Sequence, residues 1–290
     1  NVSKDAVFSA LDASSIYDIP IMFSEQNIDN FMMKNFNLKD RRLNLKPWRD
    51  YKDKVKKCKK KVKIAMIGKY VDLLDSYKSL NEALYHAGVI NNKIVDIIYL
   101  DSEKLTKRNI HQLKEMNGIL VPGGFGDRGI EGKILAAEYA RVNNIPYFGI
   151  CLGMQISVIE FARNVMKLNK ANSTEFDKNT KNPVVALVEE WREDSGKRIF
   201  ANMENMGGTM RLGSQECILT KGSLAHKMYS RNNIKERHRH RYEVNGNLVG
   251  DFEQKGLAFS GQSKEGNLME MIELKNHSWY VGCQFHPEFT

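Results

Sequence analysis

The sequence predicts an α/β protein with a doubly wound, mostly parallel central sheet, helices on both faces and antiparallel additions. Three observations carry that prediction. Short apolar strands alternate four times with helices between residues 63 and 163, through short connections. Two of the strands run into glycine-bearing turns, Val121-Pro122-Gly123-Gly124 and Gly149-Ile150-Cys151-Leu152-Gly153. Beyond about Pro183 the helical spacing gives way to strands and turns. The 290 residues allow one large domain or two smaller ones.

Residues 1–45 show no clean alternation. Ile28, Phe31, Met32 and Phe36 have the spacing of one buried helical face, after a short turn. Residues 52–63 hold eight lysines and one aspartate, and like charges should keep this block solvated and extended. Lys63 to Gly68 reads as a buried strand, and Ser76 to Gly88 as a helix closed by its glycine. Lys93 to Leu100 is a second strand, Asn109 to Met116 a helix, and Gly118 to Pro122 a third strand. Ile130 to Asn143 is helical, Ile145 to Ile150 a fourth strand, and Leu152 to Arg163 a helix. The strands VVALVEEW, CILT, LAFSGQS, MEMIEL and WYVGCQF then follow as antiparallel additions.

Composition excludes several function classes. The net charge is +9, but +7 of it sits in the block 52–63. A short block without interleaved aromatic residues is a poor nucleic-acid surface, so a surface tether is the expectation, with no nucleic-acid partner. Four scattered cysteines, Cys58, Cys151, Cys217 and Cys283, make neither a disulfide framework nor a zinc site. They fit reduced thiols in a cytoplasmic protein. No apolar run reaches the roughly 18–20 residues of a membrane span, and no signal peptide opens the chain. The first residue is Asn, which suggests a piece of a longer protein.

The chemistry centres on Cys151. Glycines two before and two after it allow a sharp strand-to-helix turn that lifts a nucleophile into a cleft. The following helix would favour the thiolate. A thiolate hydrolase needs a base that later protonates the leaving group. His286, in Gln284-Phe285-His286-Pro287-Glu288, is the candidate, with Glu288 to orient its ring. The oxyanion would meet the backbone N–H groups of Gly124 and Leu152. The glycines of GGFGDRG lack the spacing of a phosphate-binding loop. On a strand, Arg237, Arg239 and Arg241 would share one face, away from His238 and His240.

These motifs carry a family resemblance. GICLGMQ, LVPGGFG and QFHPEF together resemble the class I (triad) glutamine amidotransferases. KIAMIGKY, DSYKSLNEAL, ANSTEF, GGTMRLG, RHRHRYEVN and CQFHPEFT are similar to the glutaminase domains of the CTP synthase family. The resemblance implies a flavodoxin-like sheet over residues 63–290. Residues 1–50 would be the tail of a synthetase domain with a helical linker, and 51–62 a Lys-rich tether. It implies hydrolysis of L-glutamine by Cys151, His286 and Glu288 through a thioester. It places the glutamine against Gly124, Phe125, Leu152, Gly153, Met154 and Gln155. Glu175 and Gln155 would hold its α-amino end, and Arg241 its α-carboxylate. No metal or cofactor is implied for this piece. ATP and Mg²⁺ belong to the synthetase domain, GTP is an allosteric activator, and a homo-tetramer is expected of the full-length enzyme only. The sequence offers no position for a GTP site and no role for 191–206 or for the loop 207–213. Two alternatives stay open: the glutaminase of another amidotransferase or a γ-glutamyl hydrolase, and a non-catalytic module on the same fold.

Overall fold

A computed structural model describes the chain except residues 1, 40–42, 70–73, 188–189, 193–197, 201–209 and 267. The stretch 191–206 and the loop 207–213 thus lie partly outside the described residues. Two compact units divide the chain: residues 1–61 with 84–95, and residues 62–83 with 96–290.

In the first unit, helices α1 (Ile19–Glu25) and α2 (Ile28–Asn35) stand where the sequence suggested one helix. Asn27, at φ 60°, makes the break between them. Phe8 packs edge-on against Phe31 at 5.4 Å between ring centres. Helix α3 (Lys46–Lys57) corrects the expectation of an extended lysine block for residues 52–57, while residues 60–63 are extended as expected. Pro47 preorganises its first turn, and Lys46 pairs with Asp50 at 2.6 Å one turn on. Lys52 pairs with Asp18 at 2.5 Å. Lys54, Lys56 and Lys57 sit in the last turn, where the helix dipole favours cations. Charge counting missed these local compensations.

The second unit is built on a nine-stranded sheet. One half of it uses β1 (Lys60–Gly68), β2 (Lys93–Asp101), β3 (Gly118–Val121) and β4 (Tyr147–Ile150). Shorter strands β5 (Asn172–Ser173), β6 (Pro183–Leu187), β7 (Glu190–Arg192) and β8 (Arg198–Phe200) follow. Then come β9 (Arg211–Leu219), β10 (Asn233–His240), β11 (Tyr242–Val244), β12 (Leu257–Ser263), β13 (Met269–Leu274) and β14 (Tyr280–Cys283). The large sheet runs β10-β9-β12-β13-β14-β4-β3-β1-β2. β14 is parallel to β4, β4 to β3 and β3 to β1. β13, β12, β9 and β10 extend it antiparallel from β14. The order β2-β1-β3-β4-β14 is the 2-1-3-4-5 pattern of flavodoxin-like sheets, whose ligands bind beyond the carboxyl ends of the strands. β5, β6 and β11 make a small second sheet, and β7 pairs with β8.

The remaining described α-helices are α4 (Lys78–Ile90), α5 (Ile130–Val142), α6 (Leu152–Asn164), α7 (Leu224–Tyr229) and the short α8 (Val249–Gln254). The segment Ile110–Glu115, expected as an α-helix, is a tighter 3-10 turn. Helix α6 is the central one. Every residue from Leu152 to Ala162 is buried, so it is apolar nearly all round instead of striped. Arg141 on α5 grips Glu160 on α6 through two guanidinium nitrogens at 2.7–2.9 Å. Among the described residues, no helix is long and apolar enough to cross a membrane.

Two glycines let α6 lie this close. A Cβ at Gly153 would sit 2.1 Å from the Val121 carbonyl oxygen. One at Gly149 would sit 2.5 Å from the Gly153 backbone. Both obstacles are main chain and cannot turn aside. Gly153→Ala should therefore cost about 3 kcal/mol or more of stability in urea unfolding. Gly250→Ala, whose Cβ meets nothing within 4 Å, should cost nothing and gain up to about 1 kcal/mol.

Candidate active site

Cys151 occupies the turn between β4 and α6. It adopts φ 51° and ψ −103°, a left-handed conformation rare outside glycine, and caps the helix. Its N–H donates to the Cys283 carbonyl at 2.7 Å, which ties the turn to β14. The first N–H groups of α6, beginning with Leu152, have no partner within the helix and carry its positive end. The sulfur is nearly buried. It lies 4.0 Å from the Arg239 carbonyl oxygen and 3.7 Å from the Gln284 side-chain nitrogen.

His286 and Glu288 sit on the turn that follows β14. His286 Nδ1 and Glu288 Oε1 are 2.8 Å apart. The His286 N–H donates to the Arg237 carbonyl at 2.8 Å, and its ring stacks on Phe289. Burial opposes charging the imidazole, but its pairing with Cys151 and Glu288 outweighs that and lifts its pKa to about 10. An imidazolium held by the Glu288 carboxylate beside the Cys151 sulfur is thus the favoured state. Gly123 makes room for it, since a Cβ there would lie 2.6 Å from His286 Cε1. The sequence singled out Gly124 as an oxyanion donor and gave no role to Gly123, the glycine whose bare Cα the imidazole requires.

Cys151, His286, Glu288, Gly124 and Phe125 line one cleft of about 450 Å³. Lys69, Lys133 and Arg239 line it too, and none of these was singled out as a site residue from sequence. Arg239 stands 5.9 Å over the Phe125 ring, and the Lys69 ammonium donates to the Phe125 carbonyl. Leu152, Gly153, Met154 and Gln155 form the buried first turn of α6. Gln155 donates through Nε2 to the Tyr242 carbonyl at 2.9 Å and to Gln284 Oε1 at 3.2 Å. Glu175 Oε1 accepts from the Gly126 N–H at 2.7 Å. Burial raises its pKa, against the pull of that N–H and of Lys69 and Lys133. Arg241 follows β10, half-buried, and does not line the cleft.

β10 shows the expected alternation, with Arg237 and Arg239 exposed and His238 and His240 buried. Its buried face rests on an ionic cluster. Arg211 donates to Glu243 at 2.9 Å and to Glu270 at 2.7 Å, and His240 meets Glu243 at 2.7 Å. Burial and Arg211 push the pKa of His238 down to about 2, so it stays neutral. Among the described residues, no group of three or more His, Cys, Asp or Glu side chains could hold a metal ion.

A thiol on a strained strand–helix turn, facing a charged imidazole held by a carboxylate, is the arrangement of a cysteine acyl-transfer site. Residues 72–290 match the family model of glutamine amidotransferase class-I, and the chain belongs to that family. It is 40% identical to the glutaminase domain of Trypanosoma brucei CTPS with bound acivicin. That likeness covers 79% of this chain and 87% of the other, with a TM-score of 0.70. A glutamine amidotransferase from Thermotoga maritima is a more distant likeness. It is 14% identical over 78% of this chain and 76% of that one, with a TM-score of 0.47, and adds nothing to the assignment.

Lys133 yields a pH prediction. It sits on α5 with 1% exposure. Burial, helped by the Lys69 charge, lowers its pKa from 10.5 to about 7. Between those values the unfolded chain holds the proton and the folded chain does not, so stability rises with pH through this window. Below pH 7 folding must bury the charge. Lys133→Met should therefore exceed the wild type in stability by about 3–5 kcal/mol at pH 6, an advantage that vanishes near pH 10.5. Urea unfolding at the two pH values measures it. Equal stabilities at pH 6 would refute it.

Proposed function

We propose that the chain hydrolyses L-glutamine to glutamate and ammonia, as the glutaminase of a cytoplasmic CTP synthase. The observation that carries this reading is the meeting of Cys151 with the His286–Glu288 pair, 2.8 Å between its members, in one cleft. The family membership and the 40% likeness to a CTPS glutaminase domain support it.

In this mechanism the Cys151 thiolate attacks the side-chain carbonyl carbon of glutamine. The oxygen becomes an oxyanion against the N–H groups of Gly124 and Leu152. The His286 imidazolium gives its proton to the amide nitrogen, the C–N bond breaks and ammonia leaves. A glutamyl thioester and a neutral imidazole remain. The imidazole then takes a proton from water, whose oxygen attacks the thioester. Glutamate departs and the thiolate–imidazolium pair is restored. Glu288 keeps the imidazole oriented throughout, because its oxygen faces Nδ1 and leaves Nε2 for the chemistry.

The α-groups of glutamine need one negative and one positive partner. Glu175 would face the ammonium, and Arg241 the carboxylate through two N–H groups. Gln155 commits its amide nitrogen to Tyr242 and Gln284, so only its Oε1 could serve the ammonium. Phe125 would cover the methylene chain. The ammonia would serve a synthetase domain that uses ATP and Mg²⁺ to aminate UTP. GTP would stimulate the glutaminase, and tetramer formation would belong to the full-length enzyme.

A glutamine-like electrophile such as acivicin should add one adduct, on Cys151, in peptide mass spectrometry. Cys151→Ala should lower glutamine-dependent ammonia release by at least about a thousandfold. An adduct on Cys58, Cys217 or Cys283 with Cys151 unmodified would overturn the assignment. Formation of CTP from UTP, ATP and glutamine, when a CTP synthase synthetase domain is added, tests the narrower reading against other amidotransferases.

A further inference from the structure

Gln284 lies fully buried between β14 and the catalytic turn. Its backbone N–H is fixed to the Glu270 carbonyl at 2.8 Å. Its side chain spans two groups: Nε2 donates to Cys151 Sγ at 3.7 Å, and Oε1 accepts from Gln155 Nε2 at 3.2 Å.

The direction of this chain of amides follows from its far end. Tyr242 presents a backbone carbonyl, which can only accept, at 2.9 Å from Gln155. Gln155 must therefore turn its amide nitrogen that way. The second hydrogen on that nitrogen points at Gln284, which must answer with its oxygen. Gln284 is left showing its own N–H to the sulfur. A main-chain carbonyl two side chains away thus decides what the nucleophile sees.

The two polar neighbours of the sulfur also favour different protonation states. The Arg239 carbonyl at 4.0 Å accepts from a thiol S–H and repels a thiolate. The Gln284 N–H donates best to a thiolate, and a fully buried amide is shielded from bulk solvent. We propose that Gln284 is a further catalytic residue, a neutral donor that holds and stabilises the Cys151 thiolate, with its orientation set by the relay Tyr242–Gln155–Gln284. The assignment rests on the glutaminase reading for the reaction it serves, but not for the contact itself. A neutral donor adds no formal charge to the pocket.

The test is the pH dependence of iodoacetamide alkylation at Cys151, followed by peptide mass spectrometry on the full chain. The titratable or charged groups around the sulfur are His286 and Glu288 on the catalytic turn, Cys283 on β14, Arg239 on β10, and Lys69 and Lys133 in the cleft wall. Q284M leaves all of them in place and removes the donor to the sulfur, together with the oxygen that accepts from Gln155. Its alkylation midpoint should rise by about one pH unit. Q284N, one methylene too short to reach, should shift the same way. Glutaminase kcat should fall about tenfold in both while KM for glutamine changes less than about twofold. A folded Q284M or Q284N with the wild-type midpoint would overturn the proposal. Should both variants fail to fold, wild-type protein labelled with ¹⁵N-glutamine decides. One side-chain NH₂ pair must titrate with the alkylation midpoint and stop doing so once Cys151 is alkylated; its absence would overturn the proposal equally. Alkylation needs no turnover, so a chain without glutaminase activity would sink the functional reading and leave this one measurable.

Discussion

Catalysis in this chain depends on how closely helix α6 lies against strands β3 and β4. Gly153 touches the Val121 main chain and Gly149 touches Gly153, with no space for a side chain at either. That contact forces the chain to reverse within one residue, and Cys151 takes the left-handed conformation that results. The strain costs of order 1–3 kcal/mol and is held by a helix buried on nearly every side. In return the sulfur stands at a helix N-terminus, beyond the carboxyl ends of the parallel strands. His286 reaches it because β14 lies beside β4 in the same direction, with Cys283 opposite Ile150.

Much of this was legible in the sequence, and the reason is locality. The elbow is a pentapeptide, the base and its carboxylate are two residues apart, and the strand–helix alternation repeats within short windows. The alternation of β10 was likewise visible in RHRHR. The misses have a common cause in tertiary context. Lys133 belongs to the core-facing stripe of α5 with Ile130, Ile134 and Ala137, a spacing that could have marked it as buried. Arg239 enters the cleft because β10 is the outermost strand of the antiparallel half and still passes beside the elbow, which no local pattern encodes. Gln284 looked like part of the histidine motif, and only the fold shows what its amide touches. The first half of the lysine block became helical through Pro47 and Asp18, neither of them inside the block.

The charges around the site follow a graded scheme. Nearest the sulfur, one imidazolium and one carboxylate are paired at 2.8 Å. The cleft wall carries Lys69, Arg239 and the buried amine of Lys133, and the two lysines act on the half-buried Glu175 carboxyl. Behind β10, Arg211 ties two buried carboxylates and keeps their field away from the triad. Removing one member of such a cluster leaves a buried charge without its partner, which is why these ions resist piecemeal replacement.

β14 has a consequence for the order in which the molecule assembles. It is the seam of the large sheet, with the parallel strands on one side and the antiparallel ones on the other. It also follows every other described strand of that sheet in sequence. The parallel half, with its nucleophile, and the antiparallel half, with its arginine strand, are each made earlier and cannot join until the seam arrives. Contacts that span so much sequence close slowly. The base arrives on the same segment that completes the sheet, so no partly assembled form sets an activated thiolate opposite its acid. Reactivity thereby waits on the joining of the two halves of the sheet.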